Sequence, residues 1–547
     1  MKRNKTCPLC MLRRLFKSNP PTSVRPALPD YENGAPKTPP MGWSTWNTFR
    51  NRINEKMILE MADAMRDSGL IEAGYVHLNL DDNWQSSMRD ENGDLQGDLE
   101  TFPHGIPWLA QKLNAKGLKL GAYTSNGTLT CEDLPASLGR EKADAYTLAK
   151  WGVEYFKYDF CHNTQISQYA PLVYSISISK FNGEATEYSV HNAVLGGLAR
   201  FMTDKKLPTG GFVSGLDRNY GAITYGNITV YEDGDYVLTV NIKKYGQYEK
   251  YLIAKVNDDK EYEIEFPSQK KFNNTARFQT VVTLKAGKNK IKLFNPVTCK
   301  ADSEMYQYRR MGLALKEATA KVAAQNGTPE KPITFSICEW GGGKPYTWGA
   351  KAGNLWRTTP DIRPWWFWIK IIYNHTVKLH EYSSAGHFND PDMLEVGNGK
   401  LSYNQNVSHF SLWCMMNSPL ILGNDLRKMS DSVKAIITNK NMIAINQDAL
   451  CKQAKRVKCG AVDVLAKPLA DGSTAICFFN KSCHSTKATY NINKLCDDKY
   501  VSMKKQASYT ATEQWSGDSL KTNGKMTVKL EKHQSKVFII TPSNRDV

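Results

Sequence analysis

Three features of the 547-residue chain predict an α/β protein: a parallel (β/α)8 TIM barrel carrying an inserted and a C-terminal antiparallel β-sandwich. Eight short β-rich runs that end in polar residues alternate with segments of helical period, the pattern of a parallel barrel. The alternation breaks once, between the fourth and fifth runs, for about 170 residues where one helix and two loops would need far fewer. Much of that excess, and the final stretch from 452 to 547, alternates polar and apolar residues between Gly and Asp turn signals, as antiparallel sheet does.

The β-rich runs are PPMGWSTW (39–46), YVHLNLDD (75–82), KLGAYTSN (119–126), YFKYDF (155–160), PITFSICEW (332–340), LWRTTPDI (355–362), HFNDPDML (387–394) and SPLILGND (418–425). Helical period appears at 54–69, where Met57, Ile58, Met61, Ala64 and Met65 share a face and Gly69 supplies a stop. It recurs at 106–117, 142–152, 303–327 and 432–447. The excess sheet lies in GNITVYEDGDYVLTVNIKKYGQYEKYLIAKVN (226–257) and RFQTVVTLKAGKNKIKLFNP (277–296).

These patterns divide the chain into a basic extension (1–37), a barrel in two pieces (38–168 and 303–450), an inserted sandwich (169–302) and a C-terminal sandwich (451–547). Hydrophobic content of 41% and aromatic content of 11% suit packed domains, two or three at this length. No apolar run reaches the roughly 18 residues of a membrane span. The net charge of +17 is spread along the chain apart from the start, where seven cations from Lys2 to Arg25 precede the first acid, Asp30. Such a run reads as a solvated tail rather than a nucleic-acid site. That start lacks the apolar core of a secretory signal, which leaves a cytoplasmic location open. Cys7 and Cys10 form a lone CxxC without a second ligand pair, so no zinc site is expected there.

Carboxylates collect at the ends of the predicted barrel strands: Asp81 and Asp82, Asp159, Glu339, Asp361, Asp390 and Asp392. The C-terminal strand ends form the working face of such barrels, so these groups are expected to converge. Trp43, Trp46, Trp84, Tyr123, Trp340 and Trp356 accompany them. Acceptors beside aromatic rings suit a sugar, which offers hydroxyl donors on its edge and C–H groups on its face. Lys157 and Asp159 are two apart and point to one face of the strand end, where the cation favours an ionised carboxylate. Asp390, in NDPD, is expected to shape the turn before Pro391 and leave Asp392 to reach ligand. No His/Cys/carboxylate spacing suggests a metal, and no cofactor is expected.

The runs PPMGWSTWNTF, LNLDDNWQ, FPHGIPWLAQKLNAKGLKLGAY, WGVEYFKYDFC, CEWG, GNLWRTTPDI, NDPDML and AINQD resemble glycoside hydrolase family 27, which holds α-galactosidases and α-N-acetylgalactosaminidases. The resemblance covers about 38–165 and 304–450 in the same order, with a similar C-terminal sandwich. It implies a retaining double displacement with Asp159 as nucleophile and Asp361 as acid/base, their carboxyls about 5 to 5.5 Å apart. It further implies sugar contacts from Trp46, Asp81, Asp82, Tyr123, Lys157, Glu339, Trp340, Arg357, Asp392 and Met393. Asp81 and Asp82 would accept from the 4- and 6-hydroxyls. Cys131 and Cys161 match a disulfide pair, which would favour an oxidising, extracellular location.

CEWG, with Glu339 and Trp340, matches the galactosidases of the family, in which a carboxylate meets the free 2-hydroxyl. The relatives that take N-acetylgalactosamine have a small residue there. Asp82, rather than a longer Glu, speaks against β-L-arabinopyranose. The expected partner is therefore a carbohydrate with terminal α-galactose. Pro360 before Asp361, Ser125 and Phe388 depart from the family's usual residues. The inserted sandwich resembles carbohydrate-binding modules through DGDYVLTV and LKAGKNKIKL. A non-catalytic galactose-binding relative would be expected to lack Asp159 or Asp361, and both are present.

Overall fold

The structure, a computed structural model, describes residues 28–269 and 273–543. Cys7, Cys10 and the cations from Lys2 to Arg25 lie outside the described residues. The chain divides into two compact units, one containing Pro29–Asn163 and the residues from Gln307 onward, the other containing Thr164–Tyr306.

Every one of the eight β-rich runs holds a barrel strand: β1 (Met41–Ser44), β2 (His77–Asn79), β3 (Lys119–Ser125), β4 (Tyr155–Asp159), β5 (Thr334–Ile337), β6 (Leu355–Arg357), β7 (Phe388–Asp390) and β8 (Leu420–Leu422). They form one parallel sheet in the order β7-β6-β5-β4-β3-β2-β1-β8. A parallel bridge between Leu394 and Leu422, with the Leu394 N–H on the Ile421 carbonyl at 2.7 Å, links the chain after β7 to β8 and closes the ring. Most strands are shorter than the runs. Asp159 and Asp390 are the last ladder residues of β4 and β7, and the other acids follow their strands in the loops of the working face.

Register stacks side chains into layers. Tyr123 of β3 and Ser336 of β5 both pair with Lys157 of β4, and Asn79 and Tyr155 flank Gly121. Gly121 must be small here, since a Cβ would collide with the Asn79 side chain.

Helix α1 (Glu55–Asp67) starts where the Asn54 side chain accepts from the Met57 N–H and buries Met57, Ile58, Met61, Ala62 and Met65 on one face. Then come α2 (Gly105–Asn114), α3 (Glu141–Trp151), α4 (Lys300–Asn326), α5 (Trp366–Thr376), α6 (Tyr403–Met415), α7 (Asp431–Ile437) and α8 (Lys440–Asn446). Spacing predicts one helix over 432–447, yet two form. The Asn439 side chain accepts from the Met442 N–H and nucleates α8 as a separate helix.

The second unit is a pair of antiparallel sheets. One orders Lys260–Phe266, Lys250–Val256, Gly287–Phe294, Gly221–Val230 and Val194–Gly197; the other centres on Gly234–Tyr245 between Asn273–Leu284 and Leu172–Ser179. Alternate residues such as Val240, Ile242, Leu252, Ala254, Ile291 and Leu293 fill the space between them. In the first unit, the C-terminal segment forms a six-stranded antiparallel sheet with edges Lys455–Lys458 and Ser519–Thr522, beside a separate antiparallel pair of Thr486–Asn491 and Lys525–Leu530. It is fixed to the barrel through Tyr373 of α5, whose hydroxyl donates to buried Asp463 at 2.9 Å. No helix among the described residues is long and apolar enough to cross a membrane.

Candidate active site

Two cations organise the strand ends, Arg357 buried and Lys157 half-buried. Lys157, the middle residue of β4, holds its Nζ 2.8 Å from Asp81 Oδ2 and 3.5 Å from Asp159 Oδ2, over the ring of Tyr123 at 5.1 Å. Arg357, the last residue of β6, reaches Asp392 Oδ2 at 2.9 Å and Asp361 Oδ1 at 3.1 Å through Nη2. Charged pairs of this kind hold long side chains in one geometry when out of water.

Each carboxylate is aimed by its own backbone. Asp159 ends β4 and accepts from the Phe160 N–H at 2.9 Å, while the Tyr308 hydroxyl donates to its carbonyl at 3.1 Å. Asp81 is held by its N–H on Thr45 Oγ1 at 3.0 Å. In NDPD, Asp390 Oδ1 accepts from the Asp392 N–H at 2.8 Å, which bends the chain across Pro391 and leaves Asp392 at φ 82°. The Asp392 carboxylate also takes the N–H groups of Ile362 at 2.7 Å and Met393 at 2.8 Å. This ties the loop after β7 to the loop bearing Asp361.

Burial and charge set the titration. Burial pushes the Asp159 carboxyl up to about 6; Asp361 and Asp81 add to the rise and Lys157 opposes it. For Lys157, burial favours the neutral form, but Asp81, Cys338 and Asp159 outweigh it and hold the ammonium well above its usual range. Burial likewise opposes the charge on Arg357, and Asp392 foremost restores it. Asp361 and Asp392 share Arg357 and titrate together. Burial raises Asp392, whereas at Asp361 it is overcome by Arg357 and Lys157, so that carboxyl lies below its usual range. The Asp361 side chain is 55% exposed and Asp392 only 9%.

Most of the residues singled out in the sequence meet. A cleft is lined by Trp46, Lys157, Arg357, Asp361, Asp392 and Met393, together with Asn47, Arg50, Ile362 and Arg363. A neighbouring cavity shares Lys157, Arg357, Asp392 and Met393 and adds Asp81 with Ser44, Asn79, Tyr155, Ser336 and Asp390. Asp159 and Tyr123 join through Lys157.

Asp82, Glu339 and Trp340 lie outside those two linings. Asp82 accepts from the N–H groups of Asn83 and Glu132, each at 2.9 Å, and burial pushes it up to about 6. Glu339 accepts from the Gly343 N–H at 2.6 Å and is buried. Trp340 takes φ 58° and meets Phe160 edge-on at 6.3 Å. The turn continues through Gly341, where a Cβ would strike the Thr358 carbonyl.

Three of the expected aromatic partners are core instead. Trp43, Trp84 and Trp356 are fully buried, and each indole N–H donates 2.8 Å to Asn424 O, Tyr123 O and Asn389 Oδ1 respectively. An indole satisfied on both counts packs the barrel and offers no platform. Sequence reasoning missed Tyr155 and Cys338, whose Sγ lies 3.6 Å from Arg357 Nη1. Tyr155 was legible, because it stands two residues before Lys157 on the same strand face.

The Cys131–Cys161 disulfide forms, beside the end of β4. Gly127 packs on the Cys161 carbonyl, where any Cβ would collide, and the Ser125 hydroxyl donates to the same carbonyl at 2.8 Å. The two sulfurs and the Asp159 carboxylate lie within 4.8 Å of one another. With the sulfurs bonded to each other, no thiolate is left to serve as a metal ligand.

This barrel, with its paired carboxylates on Lys157 and Arg357, matches the family profile described as alpha galactosidase A over residues 38–197 and 289–448. The chain belongs to that family. Residues 459–540 match the alpha galactosidase C-terminal beta sandwich domain. Among curated relatives of the family, an alpha-galactosidase A of Cellvibrio japonicus is 30% identical, with 95% of this chain and 96% of that protein covered. An alpha-galactosidase of Cyamopsis tetragonoloba is also 30% identical, covering 93% and 88%. The crystal structure of alpha-galactosidase I from Mortierella vinacea superposes with a TM-score of 0.65 at 24% identity, covering 94% of this chain and 99% of that one. An alpha-galactosidase from Saccharomyces cerevisiae, solved with raffinose, gives 0.62 at 21%, covering 94% and 100%. These structures share the fold.

Proposed function

We propose that this chain is an α-galactosidase that removes terminal non-reducing α-D-galactose from oligosaccharides, polysaccharides or glycoconjugates with retention of configuration. The observation that carries the reading is the pair of cation-bridged carboxylate sets, Asp81–Lys157–Asp159 and Asp361–Arg357–Asp392, gathered at the strand ends. Asp159 attacks the anomeric carbon while Asp361 passes its proton to the departing oxygen, leaving a galactosyl ester on Asp159. Asp361, now ionised, takes a proton from water; the hydroxyl adds to the anomeric carbon and frees Asp159. Lys157 favours the anionic nucleophile, and Tyr123 beneath it stiffens its position. The relatives named above as alpha-galactosidases support the substrate class. Raffinose in the yeast structure is one such galactoside.

The free enzyme titrates in reverse order. The productive form has Asp159 ionised and Asp361 protonated, yet the Asp159 carboxyl sits at about 6 and Asp361 below the usual carboxylate range. The population of that form is flat between the two pKa values and falls tenfold per pH unit beyond either. We therefore expect kcat/KM to decline above about pH 6, with the acidic arm belonging to Asp361. A kcat/KM profile that climbs through pH 6 would contradict these assignments. Once a leaving group covers the exposed face of Asp361, lost hydration raises its pKa, which is the direction a general acid needs.

Side-by-side release of p-nitrophenol from its α-galactoside, α-N-acetylgalactosaminide and β-L-arabinopyranoside tests the substrate. The α-galactoside is expected to lead by about 100-fold or more, because the acetamide would crowd buried Glu339 and a sugar without its 6-hydroxyl would leave buried Asp82 without a donor. Preference for the acetamido sugar would remove Glu339 as the group meeting the 2-hydroxyl. A β-L-arabinopyranosidase of this family from Geobacillus stearothermophilus shares the fold at a TM-score of 0.59, so the fold alone does not choose between substrates.

A further inference from the structure

The cleft that contains Asp361 carries more positive charge than its carboxylates need. Its lining includes the cations Arg50, Lys157, Arg357 and Arg363 against the anions Asp361 and Asp392. Lys157 and Arg357 are committed to the carboxylate sets described above. Among the described residues, Arg50 and Arg363 make no ion pair and no side-chain hydrogen bond. Both are exposed. Arg50 acts on Asp361 and Glu395 through space, and both acids are engaged elsewhere: Asp361 by Arg357, and Glu395 by the amides of Asn47 at 2.9 Å and Asn398 at 2.6 Å.

Both guanidiniums lie over indole rings. The Arg50 carbon is 5.2 Å from the Trp46 centroid, and that of Arg363 is 5.6 Å from the centroid of Trp365, itself 61% exposed. Stacking occupies the flat face of an arginine and leaves its N–H edge for a planar or tetrahedral anion. Arg363 stands two residues after Asp361. In the reading given above, Asp361 faces the departing oxygen, so Arg363 and Arg50 flank the departing group and not the galactose.

We propose that Arg50 and Arg363 form an anion-binding subsite for the leaving group, and that the preferred substrates are α-galactosides whose adjoining sugar carries a carboxylate or a sulfate. The inference rests on the α-galactosidase reading and names its substrate class. Trp46 and Trp365 would offer that sugar an apolar face while the two N–H edges take its charge. Lys157 and Arg357 stay with their carboxylates and hold the galactose end.

The test compares kcat/KM for the wild type and the Arg50→Gln/Arg363→Gln double variant on 4-carboxyphenyl, 4-sulfophenyl and 4-carbamoylphenyl α-galactosides. The ratio of each charged substrate to the neutral carbamoyl one cancels any change in the chemistry itself. That ratio is expected to fall about tenfold in the double variant, mainly through KM, and the wild-type ratio to shrink as ionic strength rises. A fall confined to the carboxylate assigns a uronic acid neighbour, one confined to the sulfonate assigns a sulfated sugar, and a fall in both assigns a general anion site. Ratios that do not change between wild type and variant overturn the proposal while leaving the α-galactosidase reading intact. Silence of the wild type on all three substrates overturns that reading and this proposal with it.

Discussion

Asp159→Asn is expected to lower kcat on every α-galactoside by ~10⁴-fold or more, while galactose still binds with an affinity within about threefold of the wild type. The amide has the size of the carboxylate but no charge with which to form the ester. Lys157 keeps Asp81 at 2.8 Å, so its ammonium is still paired after the substitution. The same change serves as its own control for folding. Burial raises the Asp159 carboxyl to about 6, above its ordinary 3.8, so the folded state binds that proton more tightly than the unfolded one. Stability tied to this group is thus greatest at low pH and is lost as pH rises from about 4 to about 6. At neutral pH the neutral Asn carries no such cost, and the thermal midpoint is expected to stay level or rise. Calorimetric titration with galactose beside p-nitrophenyl kinetics checks both halves. Turnover retained within tenfold would place the nucleophile elsewhere, and loss of galactose binding would make Asp159 a sugar-holding group in the first place.

How much of this was written in the sequence depends on range. The eight barrel strands were legible because each is an apolar run bounded by turn and polar residues, a signal local to about ten residues. The Lys157–Asp159 pair was legible for the same reason, since side chains two apart on a strand share a face. Glu339 and Asp82 were singled out by motif, yet the structure engages them with the N–H groups of Gly343, Asn83 and Glu132. That is loop geometry, and no periodicity encodes it. The indoles of Trp43, Trp84 and Trp356 were indistinguishable from a sugar platform in the sequence. What decided them was an acceptor from elsewhere in the chain: Asn424 for Trp43, 381 residues away, and Tyr123 for Trp84, 39 away. The break of 432–447 at Asn439 was readable in principle, because Asn is a strong N-cap even inside a helical pattern. Arg50 and Arg363 sat beside motif residues but belong to no motif. Only the folded cleft, in which Lys157 and Arg357 are already paired, shows that their charge is left over.

Asp361→Asn separates the two steps of the proposed reaction. A general acid matters most for a leaving oxygen that departs badly as an anion, so loss on a galactosyl sugar is expected to be about 10³-fold. On p-nitrophenyl α-galactoside the first step needs little protonation and is expected to survive. The second step still needs a base to activate water, and Asn supplies none, so the galactosyl ester on Asp159 should accumulate. Two signs follow from that accumulation, a burst of p-nitrophenol equal to the enzyme concentration and a KM that falls along with kcat; a third follows from the need for ionised Asp159 alone, the loss of the decline in kcat/KM above about pH 6. Pro360, which fixes φ just before this residue, does not alter the expectation, because the carboxylate is placed by Arg357 at 3.1 Å and its loop by the Asp392 bond to the Ile362 N–H at 2.7 Å. If the variant instead loses p-nitrophenyl and sugar substrates equally, with no burst, then Asp361 acts before bond cleavage in both. Its part would be to orient Arg357 or the sugar rather than to move a proton. Arg357 and Lys157 hold Asp361 ionised in the empty cleft, with Arg50 adding to them through space, and that hold yields only when a substrate displaces water from it.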